Sequence, residues 1–218
     1  MKVLLIDDHE LFVDGMNLVL TRLASDLQIF NACSYEDALP LINKHSDLDL
    51  VLLDLGLPGI CDSDALKSVR SELPATPVVV LSSNDDGAKV QEILNLGAQG
   101  YIPKSTKSEV LIRSLKLVLS GGIYIPAEIL SQLSNQSNRS INQHSDENES
   151  PLTPKQNEVL QKLIHGYSNK EISTLLDMAE STVRVHIAAI LKSLNVTNRT
   201  RAAHLAVQKG WVVIEREQ

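Results

Sequence analysis

Short apolar runs alternate with helix-spaced polar stretches five times over the first 125 residues. Residues 3–6, 28–33, 50–53, 77–81 and 101–102 read as strands. Runs such as Leu50 to Leu53 lack the alternation of a half-buried strand, so both faces are expected to be buried, as in a parallel sheet. Between the strands, Phe12, Met16, Val19, Leu20 and Leu23 recur at helical spacing, and residues 35–44, 63–73, 85–96 and 106–119 predict four further helices. Strand and helix in strict alternation predict an α/β doubly wound, five-stranded parallel sheet with right-handed crossovers.

The pattern then changes. Residues 126–133 predict one more short helix, and residues 134–150 are polar and almost free of apolar positions, which predicts a flexible linker. Four helices follow. Thr153, Pro154 and Gln156 form a capping box with Pro at the first helical position, and Ser168 with Glu171 forms a second. A third helix spans residues 180–194, with Asn195 at its C′ position, and a fourth runs from Asn198 to Gly210. The expected organisation is one domain over residues 1–125, a linker over 126–150 and an all-α four-helix domain over 151–218.

Charge divides along the same line. Residues 1–150 hold 11 Lys and Arg against 21 Asp and Glu, net −10; residues 151–218 hold 9 against 6, net +3. An anionic partner is expected for the C-terminal part only. Cys33 and Cys61 are the only cysteines and lie in separate segments, so neither a disulfide framework nor a zinc site is indicated. Two aspartates interrupt the apolar start, and no run is long enough to span a bilayer. A cytoplasmic protein with no membrane partner is expected.

The candidate chemistry sits at strand ends. Asp54 follows the third strand and precedes a turn marked by Gly56, Pro58 and Gly59. Alone, it reads more readily as a helix cap. Asp7 and Asp8 follow the first strand, which neighbours the third at the switch point of a 2-1-3-4-5 sheet, where ligands bind. Three carboxylates in one crevice need a cation, and hard oxygen ligands in this number suit Mg²⁺. Ser82 ends the fourth strand and Lys104 the fifth. A hydroxyl and an ammonium beside such carboxylates make a site for a phosphoryl group.

With Asp7-Asp8, Asp54, Leu57-Pro58-Gly59, Ser82 and residues 100–104 in view, the first 125 residues resemble a response-regulator receiver domain, a flavodoxin-like fold. The resemblance implies that Asp54 accepts a phosphoryl group from a sensor histidine kinase. It implies Mg²⁺ on Asp7, Asp8, Asp54 and the backbone carbonyl of Gly56, with Lys104 pairing the phosphoryl oxygens. Ser82 and Tyr101 would switch with phosphorylation, although Tyr101 reads as well as a half-buried strand aromatic. One departure follows Asp54: Asp62-Ser63 stands where the family often has Asp-Gly.

In the third C-terminal helix, Val183, Ile187, Ile190, Leu191 and Leu194 share a core face. Arg184, Ala188 and Lys192 line up on a second, outward face, with Val185 beside them. Such a narrow basic face can enter a DNA major groove, although on an isolated helix it reads more readily as a solvated stripe. With the preceding helix it forms a helix-turn-helix, and Lys170 and Arg199 are placed to grip phosphates.

Leu152-Thr153-Pro154, residues 166–172 and the run from Ser181 through Thr182 to His186 resemble a LuxR-type helix-turn-helix, and the whole chain resembles the NarL/FixJ subgroup of two-component regulators. This implies a phosphorylation-controlled transcriptional regulator that binds double-stranded DNA, as a homodimer when phosphorylated, through Arg184 and Val185 and neighbours such as Thr182 and Lys192. Ala179 stands where a Ser or Thr cap is frequent, and Ala188 where a polar residue is. An alternative class, a Mg²⁺-dependent phosphohydrolase of the haloacid-dehalogenase type, needs an acid two positions after the nucleophile. Gly56 stands there, so no enzyme of that kind is expected.

Overall fold

The computed structural model describes residues 1–83, 87–126, 151–209 and 211. Strands β1 (Lys2–Ile6), β2 (Gln28–Ala32), β3 (Leu50–Asp54), β4 (Val78–Ser82) and β5 (Gly100–Pro103) form one parallel sheet in the order β2-β1-β3-β4-β5. Between them run α1 (Glu10–Leu20), α2 (Tyr35–Lys44), α3 (Asp62–Glu72) and α4 (Gly87–Asn95), and α5 (Ser108–Leu119) follows β5.

Period-two alternation sorts the strand side chains into two cores. Leu4, Ile6, Val51, Leu53, Val78, Val80 and Tyr101 face one side, with Ala38 and Ile42 of α2, Leu66 and Val69 of α3 and Val90 and Ile93 of α4. Val3, Leu5, Leu50, Leu52, Val79, Leu81 and Ile102 face the other, with Met16 and Leu20 of α1 and Leu111, Leu115 and Val118 of α5. Every residue of β3 and β4 is buried, as the unbroken apolar runs predict. Each such Val or Leu contributes about 1.5–3 kcal/mol relative to exposure.

Boundaries differ by a residue or two, for local reasons. Pro77 has no N–H for the ladder, so β4 begins at Val78, although the Pro77 carbonyl still accepts the Val51 N–H at 3.0 Å. Lys107 caps α5, so the helix begins at Ser108 rather than at residue 106. β5 is longer than expected, because its ladder with β4 runs from Gly100 opposite Val79 to Pro103 opposite Ser82; the chain after α5 also returns beside it, where the Tyr101 N–H donates to Tyr124 O. The expected helix over residues 126–133 and linker over 134–150 lie outside the described residues, Pro126 apart, as do residues 85–86 of the fourth predicted helix.

The C-terminal unit holds α6 (Pro154–Ile164), α7 (Asn169–Leu175), α8 (Glu180–Ser193) and α9 (Arg199–Gln208). Both capping boxes form, on Thr153 with Gln156 and on Ser168 with Glu171. Ala179 caps α8 without a side-chain bond, and Asn195 turns the chain at φ 51°. Val183, Ile187, Ile190 and Leu191 of α8 sit at the centre of a third apolar core with Val159, Leu163, Ile172 and Ala202.

One expectation about α8 is corrected. Its Arg184, Ala188 and Lys192 stripe does not look outward over its whole length: Arg184 and Ala188 lie against the sheet domain, and Lys192, at the edge of the contact, stays exposed. Arg184 reaches that domain directly, and Ala188 and Lys192 line a groove whose far wall is Arg70, Pro74 and Leu96. Periodicity separates one helix face from another but does not say what a polar face meets.

Candidate functional site

The carboxyl ends of β1, β3, β4 and β5 bring Asp7, Asp54, Ser82 and Lys104 to one crevice, with Asp8 at its rim. Asp7 and Asp54 are buried, and Asp8 is partly exposed. The Lys104 ammonium lies 2.8 Å from both Asp7 Oδ2 and Asp54 Oδ2 and 4.7 Å from the centroid of the Phe12 ring. Burial pulls its pKa down, but its hydrogen bonds to Asp54 and Asp7 outweigh this and raise it. Burial pushes the Asp54 carboxyl up to about 6; Lys104 opposes the rise and the Asp7 charge adds to it.

Ser82 is buried one residue beyond Leu81, which pairs with Asp54 across the sheet. Tyr101 is fully buried and belongs to the first core, the inward placement rather than a half-exposed one. Gly56 adopts φ 100°, and its N–H donates to Asp62 Oδ1 at 2.7 Å. The other Asp62 oxygen meets Lys89 of α4, an ion pair that raises the lysine pKa. Asp62, next to the departure at Ser63, thus ties the turn beyond the site to α4.

The donor set fits a hard divalent cation. Carboxylate oxygens of Asp7, Asp8 and Asp54 and a ring nitrogen of His9 lie within 4.8 Å of one another. Asp54 Oδ1 is buried with no hydrogen-bond partner. A buried carboxylate oxygen left unpaired is costly, and a cation would satisfy it.

The other half of the site lies at the opposite end of the sheet. Arg184 Nη1 donates to Leu48 O at 2.5 Å, and Nη2 pairs with Asp49 Oδ1 at 2.9 Å and with Glu180 Oε1 at 2.7 Å. Arg70, buried at the end of α3, donates to the carbonyls of Leu73, Pro74 and Thr76 and to that of Thr197, in the α8–α9 turn. Burial with only carbonyls for partners pulls its guanidinium down to about 10. Arg201 of α9 donates to Asn95 Oδ1 at the end of α4, at 2.7 Å. Gly97 allows the close approach: a Cβ there would stand 2.8 Å from Thr197 O. Between the two units lies a cavity of about 570 Å³ lined by Asp49, Gln99, Lys170, Arg184 and Arg199, among others.

The remaining residues expected at DNA separate into two sets. Thr182, Val185, Lys170 and Lys192 are exposed. Arg199 is largely covered; it donates to Tyr167 O at 2.6 Å and packs against Gly121. The structure also brings in His9, Asp49, Asp62, Arg70 and Lys89, none of which the sequence singled out. Asp62 was visible only as the neighbour of the departure at Ser63, and Asp49 and Arg184 are 135 residues apart.

Two families match the chain: the response regulator receiver domain over residues 3–116, and the bacterial regulatory proteins of the luxR family over residues 150–206. The chain is 36% identical over 204 residues to the glycerol metabolism activator of Pseudomonas putida, covering 92% of each. It is 32% identical to the transcriptional regulatory protein DegU of Brevibacillus brevis, over 98% of this chain and 95% of that protein. It is 30% identical to the nitrate/nitrite response regulator protein NarP of Escherichia coli, over 95% of each. A LuxR family DNA-binding response regulator from Silicibacter pomeroyi superposes at a TM-score of 0.53, with 30% identity over 59% of this chain and 98% of that one. RcsB of Salmonella typhimurium shares the fold at a TM-score of 0.57, with 21% identity over 95% of this chain and 99% of that one. The chain belongs to the two-component response regulators that join a receiver domain to a LuxR-type helix-turn-helix and act on DNA.

Proposed function

We propose that Asp54 is the phosphoacceptor, that a sensor histidine kinase is the donor, and that phosphorylation controls dimerisation and the release of α8 to DNA. The observation that carries this reading is the placement of Asp54: a buried carboxylate at the switch point, facing Lys104, with Asp7 and Asp8 beside it. One Asp54 oxygen attacks the phosphorus of the kinase phosphohistidine. The phosphorus–nitrogen bond breaks, the histidine nitrogen regains a proton, and an aspartyl phosphate forms. Asp7, Asp8, Asp54 and the Gly56 carbonyl would hold Mg²⁺, which when bound would neutralise charge on the carboxylates and the incoming phosphoryl oxygens.

Lys104 then moves its attraction from Asp54 Oδ2 to the phosphoryl oxygens, and the Ser82 hydroxyl turns toward them. Tyr101, already inward, holds the space that Ser82 leaves. The chain is a switch rather than an enzyme of turnover, because Gly56 stands where a hydrolase needs a second acid. On the output side, Arg184 and Val185 read bases with Thr182 at the helix start, and Lys170, Lys192 and Arg199 meet phosphates.

In the closed arrangement Arg184 is spent on Leu48 and Asp49, so base reading requires the two units to part. Among the described residues no helix is long and apolar enough to cross a membrane. Acetyl phosphate with Mg²⁺ tests the first step: it phosphorylates the wild type and leaves Asp54→Asn unmodified. Equal modification of that variant places the nucleophile elsewhere.

A further inference from the structure

A nitrogen faces the same crevice as the three carboxylates. His9 precedes α1 as its cap residue, yet its side chain makes no cap bond. Instead its N–H donates to Asp7 Oδ1 at 2.9 Å, which holds the residue over the acidic cluster. Ring Nδ1 then lies 2.8 Å from Asp8 Oδ1, 3.2 Å from Asp7 Oδ1 and 3.7 Å from Asp54 Oδ2. Bonds of about 2.0–2.1 Å in an octahedral site put neighbouring ligands roughly 3 Å apart. The spacing of Nδ1 from Asp8 and Asp7 is that of neighbouring ligands around one ion.

A further observation points the same way. Asp54 Oδ1, on a side chain only 1% exposed, has no hydrogen-bond partner.

We propose that His9 is a further protein ligand of the metal site, through Nδ1, and that it biases the site toward nitrogen-accepting first-row ions such as Ni²⁺ relative to Mg²⁺. Carboxylate and water ligands suit Mg²⁺, whereas imidazole favours the later first-row ions. The inference rests on the reading of Asp7, Asp8 and Asp54 as metal ligands.

The test loads the full-length protein with Mn²⁺ and records electron spin echo modulation in nitrogen-free buffer. Bound Mn²⁺ in the wild type shows modulation from a coordinated imidazole nitrogen, and His9→Ala, still folded by circular dichroism, loses it. Displacement of Mn²⁺ by Ni²⁺ and by Mg²⁺ gives an affinity ratio that falls about tenfold or more in His9→Ala. Mn²⁺ bound in the crevice with no nitrogen modulation, modulation that survives in His9→Ala, or an unchanged ratio overturns the role of His9 and leaves the acidic site standing. Failure to bind Mn²⁺, or binding unaffected by Asp54→Asn and Asp8→Asn together, overturns the metal site itself and His9 with it.

Discussion

The guanidinium of Arg184 meets Asp49 at one end of β3, and Asp54 stands at the other. Five residues of strand, roughly 17 Å at about 3.3 Å each, separate the residue that would read DNA from the residue that would be phosphorylated. The effector unit rests on the amino ends of the strands, and the acidic crevice opens at their carboxyl ends.

Loosening the Asp49 contact therefore favours the open form without a phosphoryl group. The Arg184–Asp49 pair is mostly shielded from water, and part of its energy is replaced in the open form by solvation and by Glu180. A net effect of about 1 kcal/mol, or roughly fivefold, is expected. Asp49→Ala raises operator binding by the unphosphorylated protein in a gel-shift titration by about that factor. Unchanged affinity means that this contact does not hold the closed form.

Arg184 has the opposite sign once the units are apart. Arg184→Ala removes the closed-form contact and the expected base contact together. In the phosphorylated protein, operator affinity falls by about 1–3 kcal/mol, while Lys192→Ala weakens all sequences alike and flattens the salt dependence. A phosphorylated Arg184→Ala protein that kept wild-type affinity and specificity would move base reading to another residue.

Asp54 makes stability depend on pH. Its pKa rises from 3.8 to about 6 on folding, chiefly through burial. Below pH 3.8 the carboxyl is protonated in both states, so it costs nothing. Between 3.8 and about 6 the unfolded chain releases the proton and the folded one keeps it, so stability falls as pH rises. Above about 6 the full cost is present, on the order of 1–3 kcal/mol. In metal-free buffer, Asp54→Asn therefore melts above the wild type at pH 7.5, and the gap closes toward pH 4. A gap of constant size across that range removes ionised Asp54 as its cause.

Asp62 and Lys89 link the turn beyond Asp54 to α4. Lys89→Met leaves Asp62 on the Gly56 N–H but frees α4, and Asp62→Ala releases both. Mg²⁺ affinity, read by calorimetry, is expected to drop several-fold in Asp62→Ala and less in Lys89→Met. Equal loss in both assigns the effect to the ion pair rather than to the Gly56 N–H.

Much of the acidic site was legible because its residues end apolar runs: Asp7, Asp54 and Lys104 each follow a strand whose burial the sequence makes plain. The core face of α8 was legible for the same kind of reason, since Val183, Ile187, Ile190 and Leu191 repeat at helical spacing. The partner of its polar face was not. A basic stripe looks the same in sequence whether it meets water, DNA or a second domain, and Asp49, Arg70 and Gly97 carry no local signal that they meet α8, α9 or the turn between them. Asp62 and His9 were hidden differently, because both lie in motif segments where only the neighbouring residues drew notice.

Phosphorylation at Asp54, at one end of β3, is expected to free Arg184 at the other. Its most direct test is one gel-shift and sedimentation experiment on the full-length protein, with and without acetyl phosphate and Mg²⁺, in the wild type and Asp54→Asn. The donor is expected to raise operator affinity and to produce a dimer in the wild type, and to change neither in Asp54→Asn. Full operator binding by the untreated wild type, or an equal response in Asp54→Asn, would contradict it.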